Sequence, residues 1–386
     1  MGEIGSNASV KQNNIAAIRD ALYRVDFATK KEIAARCGLS LAACTALLAE
    51  MIADGQVLEL AFAAPNGGRP ARRFALNPDY AHILCLYTDN NATDGAGIAL
   101  RICDLAGRVR TEKFCPLSDI QPDDLVALVS ETAARDPLIR AVGIGIAGIT
   151  DHDGRITGGS FHALNGFNPK AVLEEKLGVT VLTENDMYFT SYGFYTRNYA
   201  GRPYSLSVLY WPSHKCAGAG TVVNGHVIVG STKYAGELVS LPFPFATLSK
   251  DESLARMIRG EDTVPLMGTA AACTIALINP DVIYLTGTAT LNIRESDIID
   301  YCKQTIPENH LPVLRIQADI HEEYMTGIFE LARKKAALPP ALSGAARAVW
   351  SACRLAALRR YARHSVQSVK NFLKLGPLQT EALVLN

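Results

Sequence analysis

Residues 67–78, Gly-Gly-Arg-Pro-Ala-Arg-Arg-Phe-Ala-Leu-Asn-Pro, mark where a small N-terminal module ends and a larger body begins. Asn66-Gly67-Gly68-Arg69-Pro70 is turn chemistry, and Arg72-Arg73-Phe74-Ala75-Leu76 reads as a strand. Val57-Leu58-Glu59-Leu60 supplies the strand before it, so the two form a hairpin with Arg69 at its tip. A guanidinium on a slim, extended backbone suits a DNA minor groove.

Working back from this hairpin, Ile15, Ile18 and Leu22 recur at helical spacing within residues 13–24. Thr29-Lys30-Lys31-Glu32 is a capping box that opens a second helix, with Ile33, Ala34 and Cys37 turned inward. Gly38 is its expected left-handed stop. Ser40 is placed to cap a third helix, which buries Leu47, Leu48, Met51 and Ile52 and ends at Asp54-Gly55. Two short helices joined by a glycine turn behind a supporting helix match a helix-turn-helix, and the hairpin makes it winged. From Ser40 to Glu50 the third helix has no Lys, Arg, Asn or Gln, the side chains that make bidentate base contacts. Ser40 and Thr45 are therefore its polar candidates for DNA contact, while Arg69, Arg72 and Arg73 are expected to dominate binding. The same module would also serve as a protein-interaction domain.

The whole chain has 386 residues, enough for two or three domains, and its 38 basic and 38 acidic residues cancel. Any attraction to nucleic acid is therefore local, since no global field supplies it. Nine cysteines without a Cys-x-x-Cys pair fit free thiols in a reducing compartment. The polar start has no apolar signal region, and no stretch approaches the length of a membrane span. The expected location is cytoplasmic, without a membrane partner.

Beyond residue 80 the texture becomes α/β. Strands are expected at His82–Tyr87 and Ala96–Ile102, with Arg108–Thr111 extended, a helix near 121–134 and a buried strand at Ala141–Ile146. The GGRP…LNP phrase behind three helices resembles the DNA-binding region of ROK-family regulators (repressors, open reading frames, kinases). The resemblance continues through Gly143–Gly148, Asp151–Gly154, Leu164–Phe167, Val181–Asp186, Ala217–Gly220, Asn224-Gly225, Ala235–Glu237 and Asn279–Gly287, in family order. It implies a multidomain chain: a mainly α winged helix-turn-helix, then a two-subdomain α/β body of the actin-like ATPase (sugar kinase) fold. The expected divisions are a disordered stretch at 1–12, the winged module at 13–78, two lobes at 80–337 and a basic extension at 338–386.

The resemblance also implies roles. Asp186 stands where family kinases hold the general base, and Asn165, Asn185 and Glu237 stand with it as candidates for a polyol-binding pocket. The kinase equipment is altered. Asp89-Asn90-Asn91-Ala92-Thr93 replaces Asp-Ile-Gly-Gly-Thr, and Pro212-Ser213-His214-Lys215-Cys216 precedes Ala217–Gly220 where the family has Gly-Thr-Gly-Ile-Gly. Bulky residues there hinder the close backbone approach that phosphates need. Ser240 replaces the zinc-binding His, and Leu241–Lys250 has no cysteine, so neither metal nor ATP cofactor is expected. The implied function is a DNA-binding transcriptional regulator, a repressor of carbohydrate-related genes, with a sugar-sensing and dimerising (or tetramerising) body and no enzymatic activity. An active ROK-type sugar kinase and a ligand-blind DNA-binding scaffold are the alternatives. The extension carries Arg347, Arg354, Arg359, Arg360 and Arg363 with Glu381 as its single acid. It reads as a loosely ordered basic tail, or as a second DNA-phosphate contact, an acidic-lipid contact or an oligomer arm.

Overall fold

In the computed structural model, residues 7–60, 71–89, 96–117, 119–212, 217–241, 256, 259 and 262–336 are described. Helices α1 (Asn7–Tyr23), α2 (Lys30–Cys37) and α3 (Leu41–Ala53) open the chain. The expected disordered stretch to residue 12 is thus corrected from Asn7 onward. The polar first turns of α1 gain a partner outside their own helix, because Lys11 pairs with Glu50 of α3 at 2.6 Å. At α2 the capping box forms as its spacing demands. The Glu32 N–H donates to Thr29 Oγ1 (3.4 Å), and the Thr29 N–H donates to Glu32 Oε2 (2.7 Å). Gly38, at φ 65°, ends α2 in the left-handed region, and Ser40 Oγ accepts from the Ala43 N–H (3.2 Å) to start α3 at 110° to α2. Strands β1 (Ala28–Thr29), β2 (Val57–Leu60) and β3 (Arg73–Leu76) form an antiparallel sheet in the order β1-β3-β2. Residues 61–70, which include Arg69, lie outside the described residues.

The first lobe holds β4 (His82–Asp89), β5 (Gly97–Asp104), β6 (Val109–Pro116), α4 (Pro122–Arg135), β7 (Ile139–Ile146), β8 (Gly148–Thr150), β9 (Ile156–Gly159), α5 (Pro169–Leu177) and β10 (Thr180–Asn185). Its sheet runs β10-β7-β4-β5-β6, antiparallel from β4 to β6 and parallel from β4 to β10. Helix α6 (Asp186–Tyr199) carries the chain into a second lobe of β11 (Ser205–Tyr210), β12 (Gly218–Val223), β13 (His226–Val227), α7 (Thr263–Ile278), β14 (Val282–Thr286), α8 (Glu295–Cys302) and β15 (Val313–Ile316). Its sheet, β13-β12-β11-β14-β15, repeats the same logic: three antiparallel strands, then two parallel ones. Helix α9 (His321–Lys335) returns to the first lobe. Two lobes built on one strand plan and joined by two helices make the actin-like architecture expected from sequence.

Strand periodicity places the core. Along β4, Leu84 and Leu86 face α4 and α5 with Leu125, Val129 and Leu173. Ile83, Cys85 and Tyr87 face the other way, into a cluster with Ile328 and Phe329 of α9. That cluster also includes Ile15, Ile18 and Leu22 of α1, Ile33 of α2 and Leu48 of α3. The N-terminal module therefore shares one continuous core with the body. Helices α6 and α9 cross where Gly193 meets Gly327. A Cβ on Gly193 would fall onto the Glu323 carbonyl, and one on Gly327 onto the Phe189 carbonyl. Among the described residues no single helix is long and apolar enough to cross a membrane.

Candidate functional site

A cleft of about 1030 Å³ opens between the lobes. One wall is the end of β4 (Tyr87, Thr88, Asp89), Gly148 and the β10–α6 junction (Asn185, Asp186); the other includes Gly236, Glu237 and Gly287. His321 and Tyr324 of α9 also line it. Glycines let the second wall come close: Gly236 (φ 97°) packs against the Ala219 carbonyl and Gly287 (φ 92°) against Trp211.

Asp186 is the first residue of α6, and its Oδ1 accepts from the Met187 N–H at 2.8 Å. Burial pushes its carboxyl up to about 7, and the Met187 hydrogen bond and the nearby Glu237 carboxylate act on it with opposite sign, the first lowering and the second raising. Burial also raises Glu237. Tyr324 is buried and stacks on Tyr87 with centroids 4.2 Å apart, and its hydroxyl has no hydrogen-bond partner among the described residues. The two carboxyls give the cleft acceptors, and donors when protonated, for a polyhydroxy ligand.

Residues 95–248, which supply most of these walls, match the ROK family. The match spans 154 of the chain's 386 residues. A ROK family transcriptional regulator, described as a homologue of the E. coli MLC protein, superposes with a TM-score of 0.64 at 17% identity, covering 90% of this chain and 99% of that one. A ROK hexokinase from Thermus thermophilus superposes with a TM-score of 0.50 at 20% identity, covering 66% and 97%. At these identities the likeness is one of fold. No curated protein matches the chain by sequence.

Of the four candidates from ROK motifs, Asp186 and Glu237 line the cleft together. Asn185 is there too, but its amide is largely committed elsewhere. Oδ1 accepts from the Met187 (2.8 Å) and Tyr188 (3.3 Å) N–H groups as the N-cap of α6, and Nδ2 donates to the Gly148 carbonyl (2.8 Å). As a candidate for the polyol pocket it therefore has at most one donor hydrogen left to offer. Asn165 lies exposed on the turn after residues 162–164 and does not line the cleft. On the phosphate side, Asp89, Pro212 and Ala217–Ala219 line the cleft, whereas residues 90–93 and 213–216 lie outside the described residues. Ser240, in place of the zinc-binding His, exchanges a hydrogen bond with the Tyr234 hydroxyl (2.7 Å). Residues 242–250 and the basic extension also lie outside the described residues.

Sequence reading missed a polar network at the cleft's edge. Tyr87 Oη lies 2.8 Å from His321 Nδ1, and His321 Nε2 lies 2.8 Å from Glu112. A carboxylate only accepts, so Nε2 carries a proton, and in the neutral ring the Tyr87 hydroxyl donates to Nδ1. Arg101 binds Glu112 (2.7 Å) and Glu322 (2.5 Å) and completes the group. Glu112, His321 and Glu322 have the spacing of metal ligands, but the Arg101 guanidinium already sits among them. The signal in sequence was a lone Arg inside the apolar run Leu100-Arg101-Ile102. A second ion pair, Lys233 to Glu184 at 2.6 Å, is nearly buried and ties the loop after β13 of the second lobe to β10 of the first.

Because Asp186 titrates near 7 when folded and near its ordinary 3.8 when unfolded, its protonated form is favoured in the fold. This stability is complete below about pH 4 and is lost as pH rises through about 7. Asp186→Asn is therefore expected to be more stable than wild type at pH 8, by about 2–4 kcal/mol, and equal to it at pH 4. Urea denaturation at the two pH values checks this; a difference that grows toward acid would contradict it.

Proposed function

We propose that this chain is a DNA-binding transcriptional regulator whose ROK body senses a polyhydroxy ligand in the interlobe cleft. In this reading the N-terminal module is a winged helix-turn-helix and the ligand is a sugar or sugar derivative. The observation that carries the proposal is the continuous core joining the module to the body. The superposition on a ROK regulator over 90% of the chain supports it. A kinase has no evident use for three helices and a hairpin packed against β4 and α9.

On the module's surface, Ser40 is exposed at the start of α3, where its Oγ accepts the capping hydrogen bond and keeps its O–H to donate, and Thr45 is half-buried. Exposed Leu41, Ala42, Ala46 and Ala49 leave α3 an apolar outer face, suited to thymine methyls rather than to hydrogen-bonded base readout. Arg72 pairs with Glu59 across the hairpin, and Arg73 lies 4.4 Å over the Phe27 ring. Both cations are anchored, so affinity is expected to come mainly from phosphate contacts and to fall steeply with salt.

Helix α9 links the two ends of this system. His321 and Tyr324 line the cleft, and twelve residues after His321, at its other end, Arg333 holds Asp20 of α1 at 2.7 Å. A ligand that moves the head of α9 therefore also acts on the module. Effector binding would change the fit of two modules to two half-sites in a dimer.

The test is a gel-shift against promoter DNA from near the chain's own gene at matched salt, with and without sugars found by thermal-shift screening. Binding that a stabilising sugar weakens or strengthens is the expected result. No binding to such DNA at any salt would defeat the reading. A protonatable Asp186 near 7 in the cleft favours a second reading, a sugar kinase, since a general base works best near the ambient pH. Transfer of a labelled γ-phosphate to a hexose, lost in Asp186→Ala, would establish it.

A further inference from the structure

The geometry points to a second ligand site, for a small organic anion of the phosphate-ester class, in a cavity between the N-terminal module and the body. About 510 Å³ of space lies where α1, α6 and α9 converge, apart from the interlobe cleft. This is the size of a metabolite pocket, and a concave one, unlike the flat or grooved surface that tracks a duplex backbone. Four cations line it, and they divide into two kinds. Arg197 is paired with Glu323 (3.2 Å), and Arg333 with Asp20 (2.7 Å) and Glu330 (3.0 Å). Arg24 and Lys334 have no carboxylate partner among the described residues; Lys334 instead donates to the Tyr192 hydroxyl, its Nζ 5.0 Å from the ring centroid.

Counted against Glu323, Asp20 and Glu330, the four cations leave one net positive charge, and Arg24 and Lys334 are the two placed to meet a phosphate monoester, itself close to −2 near neutral pH. The rings of Tyr23, Tyr192 and Tyr195 give the same cavity faces for the carbon skeleton of the ester. Two glycines keep its wall thin. Gly201 (φ 78°) lies under Arg24, where a Cβ would be 3.1 Å from Nη1, and Gly225 (φ 83°) lies under Tyr195, where a Cβ would be 3.0 Å from the hydroxyl. Both hold left-handed backbone, which a side chain would strain as well as crowd.

The site stands on this geometry alone and does not depend on the DNA-binding reading. Under that reading, an anion held between Arg24 of the loop after α1 and Lys334 of α9 would brace the module against the body.

The test titrates the full chain with inorganic phosphate and with glucose 6-phosphate at constant ionic strength, followed by thermal shift without DNA. Wild type and Asp186→Ala are expected to be stabilised alike, and Arg24→Ala/Lys334→Ala to bind roughly tenfold or more weakly, with partial recovery in Arg24→Lys/Lys334→Ala. Tighter binding of the ester than of phosphate places the sugar on the tyrosine rings; equal binding makes free phosphate the ligand, and both support the site. Unchanged affinity in the double variant overturns it, as does the absence of any shift at millimolar anion. Loss of ester binding in Asp186→Ala would assign the ligand to the interlobe cleft instead. If the double variant loses DNA affinity while anion binding is unaltered, Arg24 and Lys334 are duplex-backbone contacts and the site is refuted.

Discussion

Gly327→Val is expected to yield no soluble, cooperatively folding protein, and Gly327→Ala to lose more than about 4 kcal/mol of stability. At the α6–α9 crossing an added Cβ meets the Phe189 carbonyl, a backbone group that no rotamer change can move aside. Ordinary overpacking costs about 1–3 kcal/mol because side chains adjust. Here the helices themselves must part, and Gly193 on the facing helix is blocked in the same way by the Glu323 carbonyl. The control is Gly158→Ala on β9, where a Cβ has nothing within 4 Å. Thermal melts and soluble yield decide the matter. If Gly327→Ala melts as the Gly158 control does, the helices are not in close contact.

Arg333→Ala should cost about 3–5 kcal/mol, the range for breaking one side of a buried ion pair. The Arg333 side chain is only 3% exposed and Glu330 only 9%, so removing the guanidinium leaves a carboxylate buried without its charge partner. Burial works against the charge, but Glu330 and Asp20 more than offset it and hold the guanidinium protonated. The same group lies 4.0 Å from the Tyr23 ring centre, so packing is lost together with charge. Arg333→Met/Glu330→Leu, which removes both buried charges, should recover most of the loss. Urea denaturation of the two variants separates the cases: a double variant as unstable as the single would show that packing, not the stranded carboxylate, sets the cost.

Local signals were legible in the sequence because they are self-contained. The Thr29–Glu32 box, the Gly38 stop, the Ser40 cap and the strand at Ala141–Ile146 depend on neighbours a few residues away, and each is in place. The start of α1 was misplaced because Asn7–Asn14 is polar and its anchor, Glu50, lies far along the chain. Asn185 shows a different limit. An Asn between a strand and a helix is equally suited to capping and to ligand contact, and only the direction of the backbone N–H groups decides. The resemblance located Asp186 and Glu237 in one cleft, but it also carried in Asn165, which stands apart. The Tyr87–His321–Glu112–Arg101 network joins residues more than two hundred positions apart, beyond the reach of any spacing rule.

The crossing at Gly327 has a mechanical consequence. The glycine sits six residues from His321 at one end of α9 and six from Arg333 near the other, about 9 Å each way at the helical rise. A rod held tight at its midpoint is a seesaw with equal arms. A tilt of about 10° at this fulcrum displaces both ends by about 1.6 Å in opposite senses, a magnitude known to switch packed interfaces. Whatever displaces His321 in the cleft would then swing Arg333, and α1 with it, the other way without gain or loss of amplitude.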